Sequence, residues 1–172
     1  MMETSEVQAG TRVRTVTWED PATIVAAARG KTGLEFLREV VAGRVPAPPM
    51  GQLMNIRLTV ANRGEIVFEG TPEEYHYNPM GIVHGGMAAT ILDSALGCCV
   101  YSCLELGDVW TTLDIRVSYL KAMRVETGLV RATATIVHVG RTVALAEARL
   151  VDANDVIYAH ATSTCLIKRA GR

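Results

Sequence analysis

The sequence predicts an α+β domain in which a curved antiparallel sheet wraps around one long apolar helix. From about residue 53 onward, apolar and polar residues alternate with the period of two that is typical of half-buried strands. Residues 85–104 interrupt this pattern with an apolar run in which Asp93 is the only fully charged side chain. A helix that is apolar on all sides must be covered by protein on most of them. A curved sheet closing around the helix provides that cover.

Two short helices with capping residues are predicted before the sheet. Asp20 is the N-cap of the first, which covers residues 22–29. Thr32 and Glu35 form a capping box for the second, which presents one apolar face and ends at Gly43. The sequence therefore predicts a short N-terminal helical extension.

The proline-rich residues 45–49 are expected to be extended, because proline removes amide donors and restricts its neighbours. They form a spacer between the extension and the sheet. The predicted organisation is a helical extension with its spacer over residues 1–50, a main domain over 51–168 and a short tail over 169–172.

Six strands follow from the alternation and the turn residues. Residues 53–61 and 65–70 form a hairpin that turns at residues 62–64. After the long helix, Gly140 and the turn at residues 153–155 separate four further strands. These four strands are predicted at residues 109–120, 126–139, 141–152 and 156–168.

The charge balance excludes one large class of function. The 172 residues include 17 lysines and arginines and 18 aspartates and glutamates, without a basic cluster. Proteins that bind DNA or RNA usually present a basic face. No nucleic-acid partner is predicted, although a small phosphorylated ligand needs only two or three cations.

The cysteines and the chain start favour a cytoplasmic protein. Cys98, Cys99 and Cys103 lie in one apolar segment, without histidines at the spacing of a metal site, so buried free thiols and no metal are predicted. Residues 1–10 lack the basic stretch and apolar run of a secretory signal. Residues 87–104 are long enough to span a membrane, but Asp93 near their middle favours a water-soluble core helix, so no membrane partner is predicted.

Asp93 requires an explanation, because a carboxylate is rarely buried unless it is paired or protonated. One interpretation is structural: the side chain contacts a polar neighbour or caps an adjacent loop. The other is functional: a carboxylate in apolar surroundings is suited to act as a base or a nucleophile. Asp93 alone does not decide between them.

The start of the long helix favours the functional interpretation. Gly85 and Gly86 leave backbone N–H groups of the first turn unobstructed by side chains. Such groups can hold a carbonyl oxygen as it becomes negative. The alternative is that the two glycines permit close packing against a neighbouring strand.

The spacing along the helix predicts an assembly. Gly85 and Asp93 are eight residues apart, which is about 12 Å along a helix axis. No single carbonyl group can touch both within one subunit. If both act on one substrate, the site lies between chains and the protein is a symmetric dimer, with a dimer of dimers as the larger alternative.

Three motifs follow one another between residues 52 and 168. The first is Asn78-x-x-Gly81-x-x-His84-Gly85-Gly86 followed by Asp93, the second is Thr112-Leu113-Asp114-Ile115-x-Val117-x-Tyr119-Leu120, and the third is Val139-Gly140-Arg141-Thr142. In these motifs and in their order, roughly residues 52–168 resemble a known family, the phenylacetate-pathway (PaaI-type) hotdog thioesterases. This resemblance implies a hotdog fold and hydrolysis of an acyl-CoA to a free acid and coenzyme A, which is part of the substrate, so no separate cofactor is expected.

The resemblance also implies roles for individual residues. Asp93 would activate water or attack the thioester carbon directly, and Gly85 N–H of the partner subunit would polarise the carbonyl. His84 and Asn78 would position the thioester or the water, and the Thr112 hydroxyl would orient the water. His84 could otherwise shuttle protons, but a cap holding the glycine turn is preferred.

Three further residues are predicted to contact the substrate: Gly86, Arg141 and Thr142. The Arg141 guanidinium is suited to a phosphate of coenzyme A, whereas an exposed turn arginine is the alternative. Asp114 competes as a catalytic carboxylate, but an outward charge is normal in an alternating strand. Two other function classes stay open: a hotdog hydratase or dehydratase acting on 3-hydroxyacyl thioesters, and a non-catalytic acyl-CoA-binding protein.

Overall fold

The computed structural model describes residues 10–171, and its architecture confirms the predicted fold class. A six-stranded antiparallel sheet curves around one long helix, with three short helices in front. The helices are α1 (Pro21–Ala28), α2 (Gly33–Val41), α3 (Pro49–Met54) and α4 (Gly85–Tyr101). The strands are β1 (Ile56–Asn62), β2 (Glu65–Gly70), β3 (Val109–Tyr119), β4 (Val130–Val139), β5 (Val143–Val151) and β6 (Ile157–Lys168). The strand order is β1-β2-β4-β5-β6-β3.

Helix α4 lies against the concave face of the sheet and forms the centre of the core. The residues of its inner face are fully or almost fully buried: Met87, Ala88, Ile91, Leu92, Ala95, Leu96, Cys99 and Val100. They pack against small, buried residues of the sheet, among them Ala132, Ala146 and Ala161. Small side chains on the strands allow the helix to approach the sheet closely, as close packing requires.

Strand β3 contains a β-bulge that changes which side chains face the helix. It pairs with β6 so that Thr112 lies opposite Cys165 and Asp114 lies opposite Thr164, which leaves Leu113 as the extra residue. A bulge shifts the alternation of side chains by one residue. Trp110, Thr112 and Tyr119 therefore all point to the helix side of β3, opposite residues of β6 that are buried.

The two edges of the sheet differ in their cover. Helix α2 packs against β1 at one edge. At the other edge, β3 pairs within the described residues with β6 only, and its Leu113 side chain is 56% exposed. A long edge strand with exposed apolar side chains is a template for pairing with another chain.

The extension is anchored to the domain at two places. The capping box of Thr32 and Glu35 begins α2 as predicted, and Gly33 packs directly on the Tyr101 carbonyl at the end of α4. Farther upstream, the Arg14 guanidinium donates hydrogen bonds to the backbone carbonyls of Gln52 (2.6 Å) and Leu53 (2.7 Å) at the end of α3. These contacts hold the extension against α3 and α4.

Three boundaries differ from the sequence-based expectation. The extended spacer ends at Pro48 (φ −63°, ψ 150°), because Pro49 is the first residue of α3, a position where the missing N–H of proline leaves no helical hydrogen bond unmade. Asn55 ends this helix in the left-handed region at φ 52°, so β1 begins at Ile56 rather than at residue 53. Strand β4 begins at Val130 rather than at residue 126, because Val125–Thr127 form a 3-10 turn.

Within residues 10–171, no helix combines the length and the apolar character needed to cross a membrane. Helix α4 ends at Tyr101, three residues earlier than expected, since the Ser102 hydroxyl donates to the Cys99 carbonyl and accepts the Gly64 N–H. The predicted absence of a secretory signal concerns residues 1–10, of which all but Gly10 lie outside the described residues.

Gly33→Ala tests the docking of the extension. A Cβ at this position would overlap the Tyr101 carbonyl oxygen, so α2 must shift away from α4. We expect a loss of about 1–3 kcal/mol in the free energy of unfolding, measured by urea denaturation. The matched control is Gly97→Ala, whose Cβ would meet only Trp110 Nε1, at an ordinary 3.7 Å. Equal stability of the two variants would contradict the close contact.

Candidate functional site

Asp93 lies on the open face of α4, where it contacts β3. Its carboxylate accepts a hydrogen bond of 3.3 Å from the Thr112 hydroxyl. The structure thus brings together two of the predicted site residues. The expectation that Asp93 is buried is wrong for the single chain, because its side chain is exposed.

The helix has an open face because its apolar run is rich in small residues. Gly86, Ala89, Thr90 and Gly97 fall on the same side of α4 as Asp93 and are only half-buried. Glycine, alanine and threonine have little apolar surface to bury, so counting them as apolar overestimated how completely the sheet encloses the helix. The sheet covers one face of α4 and leaves a stripe of small residues uncovered.

His84 caps the N-terminus of α4, as preferred from the sequence. Its Nδ1 accepts the Gly86 N–H at 2.8 Å, which requires this nitrogen to be unprotonated. A Cβ on Gly86 would lie 2.8 Å from the same Nδ1, so a larger residue here requires the His84 ring to move. The prediction of two free amides is therefore half wrong, because His84 uses the amide of Gly86.

The amide of Gly85 is available for a ligand. Within the described residues, no acceptor forms a hydrogen bond with Gly85 N–H. Gly85 also packs against the Tyr119 ring, since an added Cβ would lie 3.0 Å from a ring carbon. The close-packing alternative thus holds for this glycine as well, and it is compatible with a free N–H.

A surface pocket of about 380 Å³ surrounds this helix start. Asn78, Gly85, Tyr119 and Lys121 are among the residues that line it. The side-chain oxygen of Asn78 accepts the backbone N–H groups of Met80 (2.9 Å) and Ile82 (3.4 Å), which holds the turn before the helix. Asn78 and Gly85, both predicted as site residues, therefore share one pocket.

The site consists of two halves within one chain. One half is the Gly85 amide in its pocket, and the other is the Asp93 carboxylate with Thr112. They are separated by eight residues of an unbroken helix, or about 12 Å along its axis. Strand β3 flanks both halves, with Tyr119 beside Gly85 and Thr112 beside Asp93.

Arg141 and Thr142 lie apart from both halves, at the turn between β4 and β5. Both residues are exposed, and with Lys168 and Arg169 they line a surface pocket of about 490 Å³. Arg169 is held by Asp108 at 2.7 Å and by the Gly140 carbonyl at 2.9 Å. The pairing of Val109 with Lys168 places this basic end three residues along β3 from Thr112, or about 10 Å.

The cysteines of α4 are free thiols with a packing role. Burial raises the pKa of the Cys98 thiol to about 12, with a further contribution from the Asp93 charge. Burial also raises the pKa of Cys99 to about 12. Among the described residues, no cluster of histidine, cysteine, aspartate or glutamate side chains is grouped to hold a metal ion.

Sequence reasoning assigned no role to Tyr119 and Trp110. Tyr119 lines the Gly85 pocket, and Trp110 stacks on Tyr101 with ring centroids 4.1 Å apart. Their spacing on β3 indicates that both side chains face the helix only once the bulge is known, because an odd separation places two residues of a regular strand on opposite faces. The sequence contains no turn residue that marks a bulge at Leu113.

A curved antiparallel sheet around one central helix, with a carboxylate on the open helix face, defines a hotdog-fold protein. Comparisons with known proteins agree. Residues 80–159 match the family model described as Thioesterase superfamily. The mouse (Mus musculus) protein acyl-coenzyme A thioesterase 13 is 29% identical over 117 residues, which are 67% of this chain and 82% of that protein.

Solved structures show the same architecture. A putative thioesterase of Ralstonia eutropha JMP134, described as phenylacetic acid degradation-related, superposes with a TM-score of 0.68 at 26% identity. The superposition covers 76% of this chain and 98% of the Ralstonia chain. The Escherichia coli PaaI protein superposes with a TM-score of 0.68 at 16% identity, over 81% of this chain and 94% of the PaaI chain. At this identity the match supports the fold alone. The chain therefore has the hotdog fold, and its residues 80–159 match the thioesterase superfamily.

The cysteine pKa values predict unreactive thiols in the folded protein. At pH 8, a thiol with a pKa of about 12 is ionised in only about one molecule in ten thousand, and the thiolate is the nucleophile. We expect iodoacetamide to leave Cys98 and Cys99 unmodified in the native protein and to modify both in guanidinium chloride, as measured by peptide mass spectrometry. Rapid modification of the half-buried Cys98 in the native state would contradict this.

Proposed function

We propose that this protein hydrolyses an acyl-CoA thioester to a free acid and coenzyme A. The observation that carries the proposal is the pair of half-sites on α4: a carboxylate beside a hydroxyl at Asp93 and Thr112, and an amide without an acceptor at Gly85. Acyl transfer to water needs these two functions, a base or nucleophile and a donor for the oxyanion. The similarity to an acyl-coenzyme A thioesterase supports the substrate class.

In the proposed reaction, Asp93 removes a proton from water while the hydroxide forms a bond to the thioester carbon. The carbonyl oxygen becomes negative and accepts a hydrogen bond from Gly85 N–H. Collapse of this intermediate breaks the C–S bond, and the departing sulfur takes the proton and leaves as coenzyme A thiol. Thr112 holds the carboxylate and orients the water.

Direct attack by Asp93 on the thioester carbon is the second form of the same proposal. The carboxylate would form a mixed anhydride and expel the coenzyme A thiolate, and water would then hydrolyse the anhydride. The exposed position of Asp93 on the open helix face is compatible with either form. In both forms, Asp93 is the reacting carboxylate and Gly85 is the oxyanion donor.

The edge strand supports a dimer in which each site uses two chains. Thr112 lies beside Asp93, and Tyr119 lies beside Gly85, both on the helix side of β3. If two β3 edges pair antiparallel about a two-fold axis near Ile115 and Arg116, Thr112 lies opposite the partner subunit's Tyr119. Asp93 then approaches the partner subunit's Gly85, which completes the site. A dimer of dimers would repeat this unit.

The basic end of the domain supports the binding of coenzyme A phosphates. Arg141 and Lys168 form no ion pair within the described residues, whereas Arg169 is already bound to Asp108. A free guanidinium is suited to phosphate oxygens. Thr142 and Gly86 line the proposed path of the substrate. The four free cysteines support a cytoplasmic location.

Asp93→Asn tests the reacting carboxylate. Asparagine keeps the size of the side chain but can neither accept a proton nor attack the thioester. We expect kcat for acyl-CoA hydrolysis to fall about 100- to 10,000-fold with KM changed only a few-fold, measured by release of free thiol. Asp114→Asn is the matched control, since Asp114 is exposed on the opposite face of β3, and it should retain normal turnover. Near-normal turnover of Asp93→Asn would show that Asp93 is not the reacting carboxylate.

Mixing two inactive variants tests the shared site. Gly85→Pro removes the N–H, and proline suits the first helical position after the extended His84 (φ −61°, ψ 135°). A heterodimer of Gly85→Pro with Asp93→Asn contains one site with both groups intact and one site without either. Random reassortment of equal amounts makes about half of the dimers heterodimers, so about one quarter of wild-type turnover is restored. Gly85→Ala, which keeps the N–H but adds the same Cβ, controls for crowding. No recovery in a mixture that forms heterodimers would place both groups in one subunit.

A further inference from the structure

A second cavity lies between the N-terminal extension and the domain. It has a volume of about 540 Å³, within the range of ligand pockets. Its walls come from the extension, from α3, β1 and β2, and from α4. The residues that define it are Phe36, Val40, Met50, Leu58, Phe68 and Cys98.

The lining of this cavity is apolar. Its two polar side chains with hydrogen-bonding groups each have a partner already: the Ser94 hydroxyl donates to the Thr90 carbonyl at 2.8 Å, and Arg57 pairs with Glu69 at 2.9 Å. Water in such a space would find few partners for its hydrogen bonds. An apolar ligand would displace it with a gain in free energy.

The position of the cavity links it to the candidate site. Ser94, which lines the cavity, follows Asp93 directly in α4, and Cys98 lies one turn farther along the same side of the helix. A hydrocarbon chain of a ligand that starts at the Asp93 carboxylate and passes Ser94 enters the cavity. The coenzyme A end of the substrate would leave in the other direction, toward β3 and its basic end.

We propose that this cavity receives the acyl tail of the thioester and that the N-terminal extension is its roof. The inference rests on the proposed hydrolysis and specifies its substrate class: a medium-chain aliphatic acyl group rather than acetyl. The volume exceeds what an acetyl group occupies, and the lining is apolar apart from the Ser94 hydroxyl and the Arg57 guanidinium, which is paired with Glu69. The extension therefore sets the preferred chain length.

The experiment measures kcat/KM for acetyl-, hexanoyl-, decanoyl- and hexadecanoyl-CoA in the full-length protein. We expect kcat/KM to rise with chain length, by up to about fourfold for each methylene that enters the cavity, and then to fall. Val40→Trp places an indole in the cavity and should lower the ratio of decanoyl- to acetyl-CoA by at least about tenfold.

Val25→Trp is the matched control. Val25 lies on α1 outside the cavity, is 62% exposed, and should leave the ratio unchanged. If Val40→Trp does not fold, Val40→Ala carries the test, since it enlarges the cavity and should raise the ratio of hexadecanoyl- to decanoyl-CoA. An unchanged ratio in the folded Val40 variant, or no preference for longer chains in the wild type, overturns the proposal.

A binding measurement separates this inference from the proposed hydrolysis. Calorimetric titration of Asp93→Asn with acetyl- and decanoyl-CoA measures how much the acyl tail contributes to binding affinity in the absence of turnover. Tighter binding of decanoyl-CoA that Val40→Trp abolishes supports the cavity, even if the wild type releases no thiol and the hydrolysis proposal fails. Thiol release with equal affinity for both ligands overturns the cavity and leaves the hydrolysis proposal standing.

Discussion

The packing of β3 against the open side of α4 is the contact on which both halves of the site depend. Thr112 and Tyr119 are seven residues apart, and an odd separation places them on opposite faces of a regular strand. The bulge at Leu113 corrects this alternation, so that Thr112 meets Asp93 and Tyr119 meets Gly85. Without the extra residue, one of the two half-sites would lose its neighbour. Bulges near active sites re-aim side chains in this way, and here one bulge aligns two groups that lie about 12 Å apart.

The exposure of Asp93 has a physical consequence for catalysis. In one chain its carboxylate faces water, where interactions between charges are weak because the dielectric constant is high. Oxyanion stabilisation is strongest in a site from which water is excluded. The proposed reaction therefore requires a cover over the open face of α4, and the small residues Gly86, Ala89 and Gly97 leave room for close approach. In the proposed dimer, pairing at the β3 edge beside this face brings a second chain there.

Much of the fold follows from local patterns, whereas the site depends on tertiary contacts. The capping box at Thr32 and the glycine start of α4 are local, so both helices begin where the sequence predicts. The start of α3 at Pro49 was misjudged because proline at the first helical position favours a helix, while elsewhere it opposes one. Asp93 was recognised by its lone charge, but its exposure depends on which helix face the sheet covers. The periodicity of apolar residues does not predict which helix face is covered when small residues surround the carboxylate.

In the proposed reaction, chemistry and chain-length specificity occupy different structural elements of this domain. The proposed reacting groups lie on α4 and are aligned by β3 at one edge of the sheet, whereas the apolar cavity is bounded by the extension beside β1 at the opposite edge. Side chains in the extension, such as Val40, are remote from the Asp93–Thr112 contact, so they can change without disturbing it. Substitutions at distant, independent sites have nearly additive effects. A hydrolase that works as proposed can acquire a new chain-length preference through its extension while Asp93 and Gly85 keep their geometry.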